Sequence, residues 1–299
     1  MLKRPWGFGG DSNPAADSRR GVSGRGTGAE LAERTPCAPL LQARGTETQL
    51  DLIGRLQRTT ARYVSVRARA CEPFPPTLSV TFDDFPRSAW TRARAVLERH
   101  GALATYYVAG RFCGATEKGL EYFRPDDLNA LVAAGHELGC HTFSHVHAPR
   151  MTRARFMADC DRNAAFLAPF LDNRRLETFA YPYGDVCVRS KRLAGRRFTT
   201  ARGIRAGVNG GSVDLALLAS MPLERRSWSV ARWRGLVEEA AAQGGWLTLF
   251  THDVDDYPTP YGCTPAMLDQ ALTIARDGGL RILTVSAAAA SLPGAALAA

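Results

Sequence analysis

Histidine is the side chain best suited to do chemistry in this chain, and most of its copies lie in one stretch. Four of the six histidines fall within residues 135–147, which read Gly-His-Glu-Leu-Gly-Cys-His-Thr-Phe-Ser-His-Val-His. If a helix follows Cys140, His141 and His145 lie one turn apart and both imidazoles can reach one metal ion. The H-x-x-x-H spacing also recurs by chance and lacks the glutamate of H-E-x-x-H. A base and a third ligand must therefore come from elsewhere, and a pair of loop histidines that bind nothing remains the alternative.

Two adjacent aspartates, Asp83 and Asp84, follow the first strand-like run and supply candidates for both roles. One carboxylate can bind a cation while its neighbour accepts a proton. With His141 and His145, Asp84 completes a set of two nitrogens and one oxygen that suits Zn²⁺ and leaves positions open for water and substrate. The alternative is a solvated turn in which Asp84 caps the helix after Pro86.

His252 follows the apolar run Trp246–Phe250 and is a candidate proton donor. An imidazole with an unperturbed pKa of about 6.5 exchanges its proton near neutral pH. The acidic residues after it either act on this imidazole or are only loop charges, and a surface histidine without a role is the alternative reading. These acidic residues are Asp253, Asp255 and Asp256.

Short apolar runs alternate with helices from residue 78 onwards. The predicted strands are Leu78–Phe82, Ala104–Val108, Glu137–Cys140, Thr178–Tyr181, Phe198–Ala201, Trp246–Phe250 and Arg281–Val285. The predicted helices, placed from their capping residues, are Ser88–His100, Pro125–Ala134, Thr152–Leu171, Val230–Gln243 and Pro265–Asp277. Strands that alternate with helices pair in parallel through crossover helices. The pattern predicts an α/β fold, a distorted (β/α) barrel of about seven strands in a single domain.

The candidate polar groups come mostly just after the strands. Asp83 and Asp84 follow the first strand, His141 the third, the Pro182–Asp185 segment the fourth, and His252 the sixth. In a β/α barrel the carboxyl ends of all strands open on one face, so we expect these groups to converge there.

The domain boundaries follow from composition. Residues 1–47 are rich in Gly, Ser and Arg without apolar periodicity, and we predict that they are disordered. Residues 48–72 are predicted to form an amphipathic helix and a linker, with apolar positions at helical spacing from Gln49 to Arg69. The barrel is predicted over residues 73–290, and an Ala-rich tail, which can begin as a short final helix, over 291–299.

Charge and cysteine usage narrow the class of protein. Of the formal net charge of +9, residues 1–70 carry 12 Lys and Arg against 6 Asp and Glu, so the other 229 residues hold only +3. Nucleic-acid binding therefore loses most of its support. The sequence contains no apolar run long enough for a signal-peptide core or a membrane span. Seven cysteines without C-x-x-C spacing favour free thiols in a reducing compartment, so we expect a cytoplasmic protein.

Four short motifs, in this order and with this spacing, resemble those of the polysaccharide deacetylases, also called the NodB-homology or carbohydrate esterase family 4 enzymes. The motifs are Thr81-Phe82-Asp83-Asp84, His141-Thr142-Phe143-Ser144-His145, Tyr181-Pro182-Tyr183-Gly184 and Leu249-Phe250-Thr251-His252. The resemblance covers about residues 76–290. It implies a distorted barrel, a divalent metal held by Asp84, His141 and His145, Asp83 as general base and His252 as general acid.

The resemblance implies metal-assisted removal of an N-acetyl group from an amino sugar in a polysaccharide, an oligosaccharide or a glycan precursor. We expect Zn²⁺ first, with Co²⁺, Ni²⁺ or Mn²⁺ as alternatives. The backbone N–H of Tyr183, next to Pro182, is expected to stabilise the oxyanion, and Phe250 to line an acyl pocket. The alternatives are hydrolysis of another C–N bond, as in a formamide or a small N-acyl metabolite, and a silent carbohydrate-binding barrel.

The sequence departs from the family pattern at two places. No arginine precedes the Pro-Tyr-Gly turn, where family members often carry one that orients the base, and Arg202, Arg205 or Arg225 could substitute. No Asp-Trp motif supports the catalytic histidine, although Trp228 and Trp233 are present. Three aromatic residues are candidates for a sugar subsite, and a role in packing the protein interior is the alternative: Tyr257, Tyr261 and Trp228.

Overall fold

Seven parallel strands form one curved sheet at the centre of this computed structural model, which describes residues 59–172 and 174–293. The strands are β1 (Ala68–Ala70), β2 (Thr77–Asp83), β3 (Ala104–Val108), β4 (Thr116–Glu117), β5 (Leu120–Glu121), β6 (Glu137–Cys140), β7 (Thr178–Ala180), β8 (Thr200–Arg202), β9 (Ser212–Asp214), β10 (Met221–Pro222), β11 (Trp246–Thr251) and β12 (Arg281–Ile282). The central sheet has the order β10-β11-β2-β3-β6-β7-β8, and β12 pairs with β2 beside it. An incomplete barrel results, with β8 and β10 at its two edges.

Helices cover the outer face of this sheet. The α-helices are α1 (Ser88–Thr91), α2 (Arg94–Arg99), α3 (Pro125–Ala133), α4 (Arg153–Leu167), α5 (Val188–Arg197), α6 (Val230–Gln243), α7 (Pro265–Asp277) and α8 (Val285–Ala290). Short 3₁₀ turns span Gly110–Phe112, Ala148–Arg150, Ala168–Phe170 and Pro182–Gly184. Every residue of β2 and of β11 is buried, as expected for central strands of a parallel sheet covered on both faces.

The predicted distorted barrel of seven strands is confirmed, although one strand of the path differs from the prediction. The two-residue strand β10 was missed because so short a run carries no periodicity. Of the predicted strand Arg281–Val285, only the two residues of β12 form a strand. They pair with Thr77 and Leu78 of β2, whereas β3 pairs with β2 from Val80 onwards.

Helix predictions hold best where capping residues are clear. Helices α6 and α7 have the predicted bounds, and the hydroxyls of Ser229 and Thr264 accept hydrogen bonds from their first turns. The predicted helix Ser88–His100 is instead two helices, α1 and α2. Helix α5 was not predicted, because its sequence VRSKRLAGRR offers few apolar positions to set a period.

The predicted helix from Gln49 to Arg69 is wrong at its carboxyl end. Residues 59–63 are helical, but Ala68–Ala70 form β1, which pairs antiparallel with β9. Asp214 of β9 accepts hydrogen bonds from the backbone N–H groups of Val66 and Arg67, at 2.9 and 3.0 Å, and so draws this segment into the sheet. The predicted disordered extension, residues 49–58 and the tail from 294 lie outside the described residues.

Six cysteines lie in the described part of the chain and all six are free thiols, as predicted; they are Cys71, Cys113, Cys140, Cys160, Cys187 and Cys263. Cys37 lies outside that part. None of the described helices combines the length and the apolar character needed to cross a membrane.

Candidate active site

Strand register brings the candidate groups to one end of the barrel. Thr251 of β11 pairs with Phe82 of β2, so His252 and Asp83 follow side by side. Strands β3, β6, β7 and β8 continue the sheet in parallel, and His141 follows the last residue of β6. The expected convergence at the carboxyl ends of the strands is therefore observed.

Asp84, His141 and His145 form a cluster whose ligand atoms all lie within 4.8 Å of one another. Asp84 Oδ1 lies 2.9 Å from Nε2 of His145 and 3.4 Å from Nε2 of His141. Among the described residues this is the only group of three or more His, Cys, Asp or Glu with metal-site spacing. It is a candidate Asp–His–His metal site.

The two histidines reach this cluster from a loop. The conditional expectation of a helix after Cys140 is wrong, because residues 141–147 have no helical structure and Thr142 and His145 have φ values of 59° and 49°. The hydroxyl of Thr142 accepts a hydrogen bond from the backbone N–H of His145 at 3.1 Å. This turn points the two imidazoles to one place.

Backbone strain is concentrated around the cluster. In the described ranges, seven non-glycine residues have positive φ, and five of them are at or beside the site: Asp84, Phe85, Thr142, His145 and Tyr183. Left-handed backbone is uncommon for such side chains and persists where the surroundings over-determine it. The pattern is typical of a functional site rather than of ordinary surface loops.

The donor set fits a divalent cation. His141 Nδ1 lies 2.8 Å from the carbonyl oxygen of Ala180, which can only accept, so Nδ1 carries a proton and the neutral imidazole presents the lone pair of Nε2 to Asp84. Asp84 Oδ1 is buried and has no hydrogen bond of acceptable geometry, although Nε2 of both imidazoles lies beside it. A cation bound by this oxygen and by two neutral imidazoles would satisfy all three atoms.

The three side chains shift one another's pKa values. Burial raises the pKa of Asp84, but the imidazoles of His141 and His145 outweigh burial and hold that pKa well below its usual range. Burial lowers the pKa of His145, and the same effect at His141 is outweighed by Asp84 and Asp83, which raise the pKa of that imidazole. The cluster therefore favours a carboxylate anion that is ready to bind a cation.

Asp83 is buried and paired with Arg202, the last residue of β8. Both carboxylate oxygens accept hydrogen bonds from Nη2 of this arginine. Burial raises the pKa of Asp83, but Arg202 and then the imidazoles of His141 and His252 lower it below its ordinary value. Asp83 is thus held as a carboxylate within electrostatic range of both histidines.

Two aromatic rings fix the arginine. The guanidinium carbon of Arg202 lies 5.2 Å from the ring centroid of Tyr107 and 4.8 Å from that of Phe250, within the range of cation–π contacts. Phe250, predicted to line an acyl pocket, is buried with its ring against this guanidinium. Its observed contact is therefore with the arginine that holds Asp83.

His252 is held at the edge of the site by the loop that follows it. Its Nδ1 lies 3.3 Å from the carbonyl oxygen of Tyr261, so Nδ1 donates and Nε2 is the free end. The acidic loop residues bind other partners. Asp253 is buried and accepts hydrogen bonds from Thr259, while Asp255 and Asp256 pair with Arg92.

The Pro182–Gly184 turn lies against the metal cluster. Pro182 is buried, whereas the ring of Tyr183 is 54% exposed and its centroid lies 4.5 Å from that of His145. Tyr183 has left-handed backbone angles, φ 61° and ψ 8°. The residues predicted to stabilise an oxyanion therefore sit beside a candidate metal ligand.

Comparison with known proteins supports the resemblance inferred from the four motifs. Residues 72–197 match the polysaccharide deacetylase family model. The predicted resemblance to the polysaccharide deacetylases is thereby confirmed. Metal dependence is a general property of that family.

The chain is similar to a chitin deacetylase of Arthroderma benhamiae (strain ATCC MYA-4681 / CBS 112371). The two are 26% identical over 212 residues, which is 70% of this chain and 50% of that protein. The chain thus spans about half the length of this curated relative.

Two solved structures are also similar. One is described as T48 deacetylase with substrate, with a TM-score of 0.50, 18% identity, and coverage of 71% of this chain and 89% of that one. The other is a family 4 carbohydrate esterase from Streptomyces lividans in complex with acetate, with a TM-score of 0.48, 18% identity, and coverage of 71% and 93%. The first supports the barrel fold.

The arginine that holds Asp83 comes from the end of β8. The sequence left three arginines open, and the structure selects Arg202, while Arg205 is exposed on the following loop. The signal available from sequence was that Arg202 directly follows the predicted strand Phe198–Ala201, at the same end of the barrel as Asp83.

Glu224 and Arg226, just before Trp228, connect to His252 through Tyr261. Glu224 is buried and accepts a hydrogen bond from Arg226 at 2.7 Å. The guanidinium of Arg226 lies 4.1 Å from the ring centroid of Tyr261, whose carbonyl contacts His252. The sequence places no aspartate next to Trp228, and the buried glutamate lies four residues earlier, outside the expected Asp-Trp pattern.

A cleft of about 470 Å³ opens beside the loop that carries His252. Its lining includes Arg87, Lys118, Asp255 and Tyr257, and the ring of Tyr257 is 93% exposed. Trp228 instead packs against Trp233, with ring centroids 6.0 Å apart. Of the aromatic residues considered for a sugar subsite, Tyr257 and Tyr261 remain accessible.

Proposed function

We propose that this protein is a metal-dependent hydrolase that removes N-acetyl groups from an amino sugar in a polysaccharide, an oligosaccharide or a glycan precursor. The observation that carries the proposal is the buried Oδ1 of Asp84, which faces Nε2 of His141 and of His145 without a hydrogen bond. A proton acceptor and a proton donor, Asp83 and His252, flank this cluster.

Asp84, His141 and His145 would hold one divalent cation, with Zn²⁺ favoured by two nitrogens and one oxygen. When bound, the cation supplies Lewis acidity, which polarises the amide carbonyl and lowers the pKa of a bound water. Three protein ligands leave coordination positions open, which is the pattern of catalytic rather than structural sites.

Asp83 is the proposed general base. Arg202 and the neighbouring imidazoles keep its pKa low, so the carboxylate is ionised and can accept a proton from the attacking water. Because Arg202 engages both oxygens, it also fixes the direction in which the carboxylate faces. The new C–O bond forms as this proton leaves the water.

His252 is the proposed general acid. With Nδ1 bound to the Tyr261 carbonyl, its Nε2 delivers a proton to the amine nitrogen as the C–N bond breaks. The backbone N–H of Tyr183 would donate a hydrogen bond to the oxyanion, in the manner of an oxyanion hole. The products are acetate and a free amine.

The substrate class rests on the family and on the accessible cleft. The chitin deacetylase relative is named for a polymer of N-acetylated sugars. The cleft at the loop after His252 has the size of small-molecule sites and a polar lining with one exposed aromatic ring, which is suited to sugar hydroxyls and sugar faces. Neighbouring sugar units would lie in this cleft.

The test is release of free amine from a panel of chitin oligomers, other N-acetylated oligosaccharides and small amides, with Zn²⁺ or Co²⁺ added. The proposal predicts amine release from the N-acetylated sugars and its loss in Asp83→Asn. Amine release from formamides or small N-acyl metabolites alone would mean that the protein hydrolyses another kind of C–N bond. Binding of sugars without any amine release would mean that the barrel binds carbohydrate but is catalytically silent.

A further inference from the structure

His147 is a histidine of the 135–147 stretch that the proposed reaction does not use. Its imidazole stacks on the ring of Tyr183, with centroids 3.9 Å apart and an interplanar angle of 11°. Its Nδ1 is in hydrogen-bond contact with Oδ2 of Asp185. His147 therefore contacts the side chains on both sides of Gly184.

The turn that it contacts has a demanding conformation. Tyr183 adopts left-handed backbone angles that a bulky side chain rarely takes. Two backbone hydrogen bonds close the turn, from the N–H of Gly184 to Tyr181 and from that of Asp185 to Pro182, at 2.9 and 3.1 Å. Neither bond involves the half-exposed ring of Tyr183, so contacts with that ring can decide which way the turn faces.

His147 also joins two separate loops. It follows the candidate ligand His145 by two residues, whereas Tyr183 and Asp185 belong to the loop after β7. The ring of Tyr183 thus contacts two histidines of the metal-ligand loop, with centroid distances of 3.9 Å to His147 and 4.5 Å to His145. One imidazole sets the distance between the metal-ligand loop and the turn.

A role as an additional metal ligand does not fit this arrangement. His147 Nδ1 is engaged by Asp185, and its ring lies flat on Tyr183. Within residues 59–172 and 174–293, the group with metal-site spacing contains Asp84, His141 and His145 and not His147. The contacts of His147 serve the turn instead.

We propose that His147 is a positioning residue, which stacks on Tyr183 and binds Asp185 so that the Tyr183 N–H is held toward the oxyanion of the reaction. The inference rests on the proposed function for the identity of that oxyanion. Whether His147 stabilises the turn does not depend on activity, so turn stability and catalysis can be measured separately.

The experiment compares four variants of the full chain. His147→Ala removes both contacts, His147→Phe keeps a flat ring for stacking, and Asp185→Asn weakens the second contact. His100→Ala is the matched control, because His100 makes a similar contact from Nε2 to Asp269 at 3.0 Å, at the opposite end of β3 from the site. Backbone amide exchange of residues 183–185, metal content, kcat and KM are measured for each.

We expect His147→Ala to raise amide exchange in the turn by at least about thirty-fold, the combined worth of a ring stack and a bond to a charged group. Its kcat should fall roughly ten- to hundred-fold, less than or equal to the loss of one oxyanion donor, with KM and metal content unchanged. His147→Phe and Asp185→Asn should fall between wild type and His147→Ala, and His100→Ala should match wild type.

Wild-type exchange in His147→Ala would overturn the inference, as would a loss of kcat that is matched by loss of metal. If the unaltered protein releases no amine from any substrate, the proposed function fails. The exchange rates would then decide alone whether His147 holds the turn, so the two failures are distinguishable.

Discussion

Nη2 of Arg202 donates to both carboxylate oxygens of Asp83, across 119 positions of sequence and from a strand four places away in the sheet. Both side chains are buried, and the rings of Tyr107 and Phe250 enclose the guanidinium. The proposed base is thereby fixed by the last residue of β8, a strand at the open edge of the barrel. Two kinds of consequence follow, for stability and for catalysis.

Replacing Arg202 by Met should destabilise the fold, because it leaves a buried carboxylate without its partner. Removal of one member of a buried ion pair costs roughly 3–5 kcal/mol. Urea unfolding should show this loss for Arg202→Met, and adding Asp83→Asn should recover part of it. Arg205→Met is the matched control, since Arg205 is exposed and should change stability by less than about 0.5 kcal/mol. Equal losses for the two arginines would contradict the assigned pair.

Asp83→Asn and His252→Ala should each reduce kcat by about 10²–10⁴, the usual worth of a positioned base or acid. Both variants should remain folded, which circular dichroism can check, although Asp83→Asn should lower the stability because it leaves the buried Arg202 without its carboxylate. Steady-state amine release on the best N-acetylated substrate gives kcat. Near-wild-type turnover in either variant would refute its role.

Asp84→Ala should lose bound metal, because it removes the only oxygen of the candidate ligand set. Elemental analysis of protein dialysed against a low Zn²⁺ concentration measures this. Asp83→Asn is the comparison, since Asp83 is adjacent but pairs with Arg202 and should keep its metal. Stoichiometric metal in Asp84→Ala would show that the ion sits elsewhere.

His136 should make stability depend on pH. Its Nδ1 accepts a hydrogen bond from the backbone N–H of Ala104 at 3.0 Å, and burial lowers the pKa of His136 from 6.5 to about 4. Because the folded pKa lies below the unfolded one, the unfolded chain binds more protons between these pH values. Stability from this group is full above pH 6.5 and falls by up to about 3 kcal/mol as pH drops towards 4.

The measurement is urea unfolding at several pH values from 7 to 4 for wild type and His136→Asn. Asparagine offers an acceptor oxygen to Ala104 but does not titrate in this range. The variant should therefore lose less stability on acidification than wild type does. Parallel curves for the two proteins would mean that His136 is accessible to protons in the folded state.

The alternation of strands and helices predicted the barrel because each element repeats a strong local signal. It could not predict β10, which pairs with β11 through two residues only. Nor could it predict that the helix ends before β1, because the hydrogen bond that holds this segment beside β9 is accepted by Asp214, 147 positions away. Such pairings depend on tertiary contacts and leave no period in the sequence.

Within the site, motif spacing identified the groups that cluster around Asp84, but not the geometry that joins them. The loop backbone of His141 and His145 is left-handed in part, which no helical spacing predicts. The arginine that holds Asp83 could be narrowed only to three candidates, because sequence order does not reveal which strand end faces the aspartate. The role of His147 was missed for the same reason, because its partner Asp185 lies on another loop. Glu224 was missed because its burial beside Arg226 leaves no motif in the sequence.

Anomalous diffraction at the zinc or cobalt absorption edge, from crystals grown with an excess of that ion, locates the metal itself. One strong peak should lie at about 2.0–2.2 Å from Oδ1 of Asp84 and from Nε2 of His141 and His145. A peak bound by other residues, or no peak between these three atoms despite the excess of the ion, would contradict the proposed metal site.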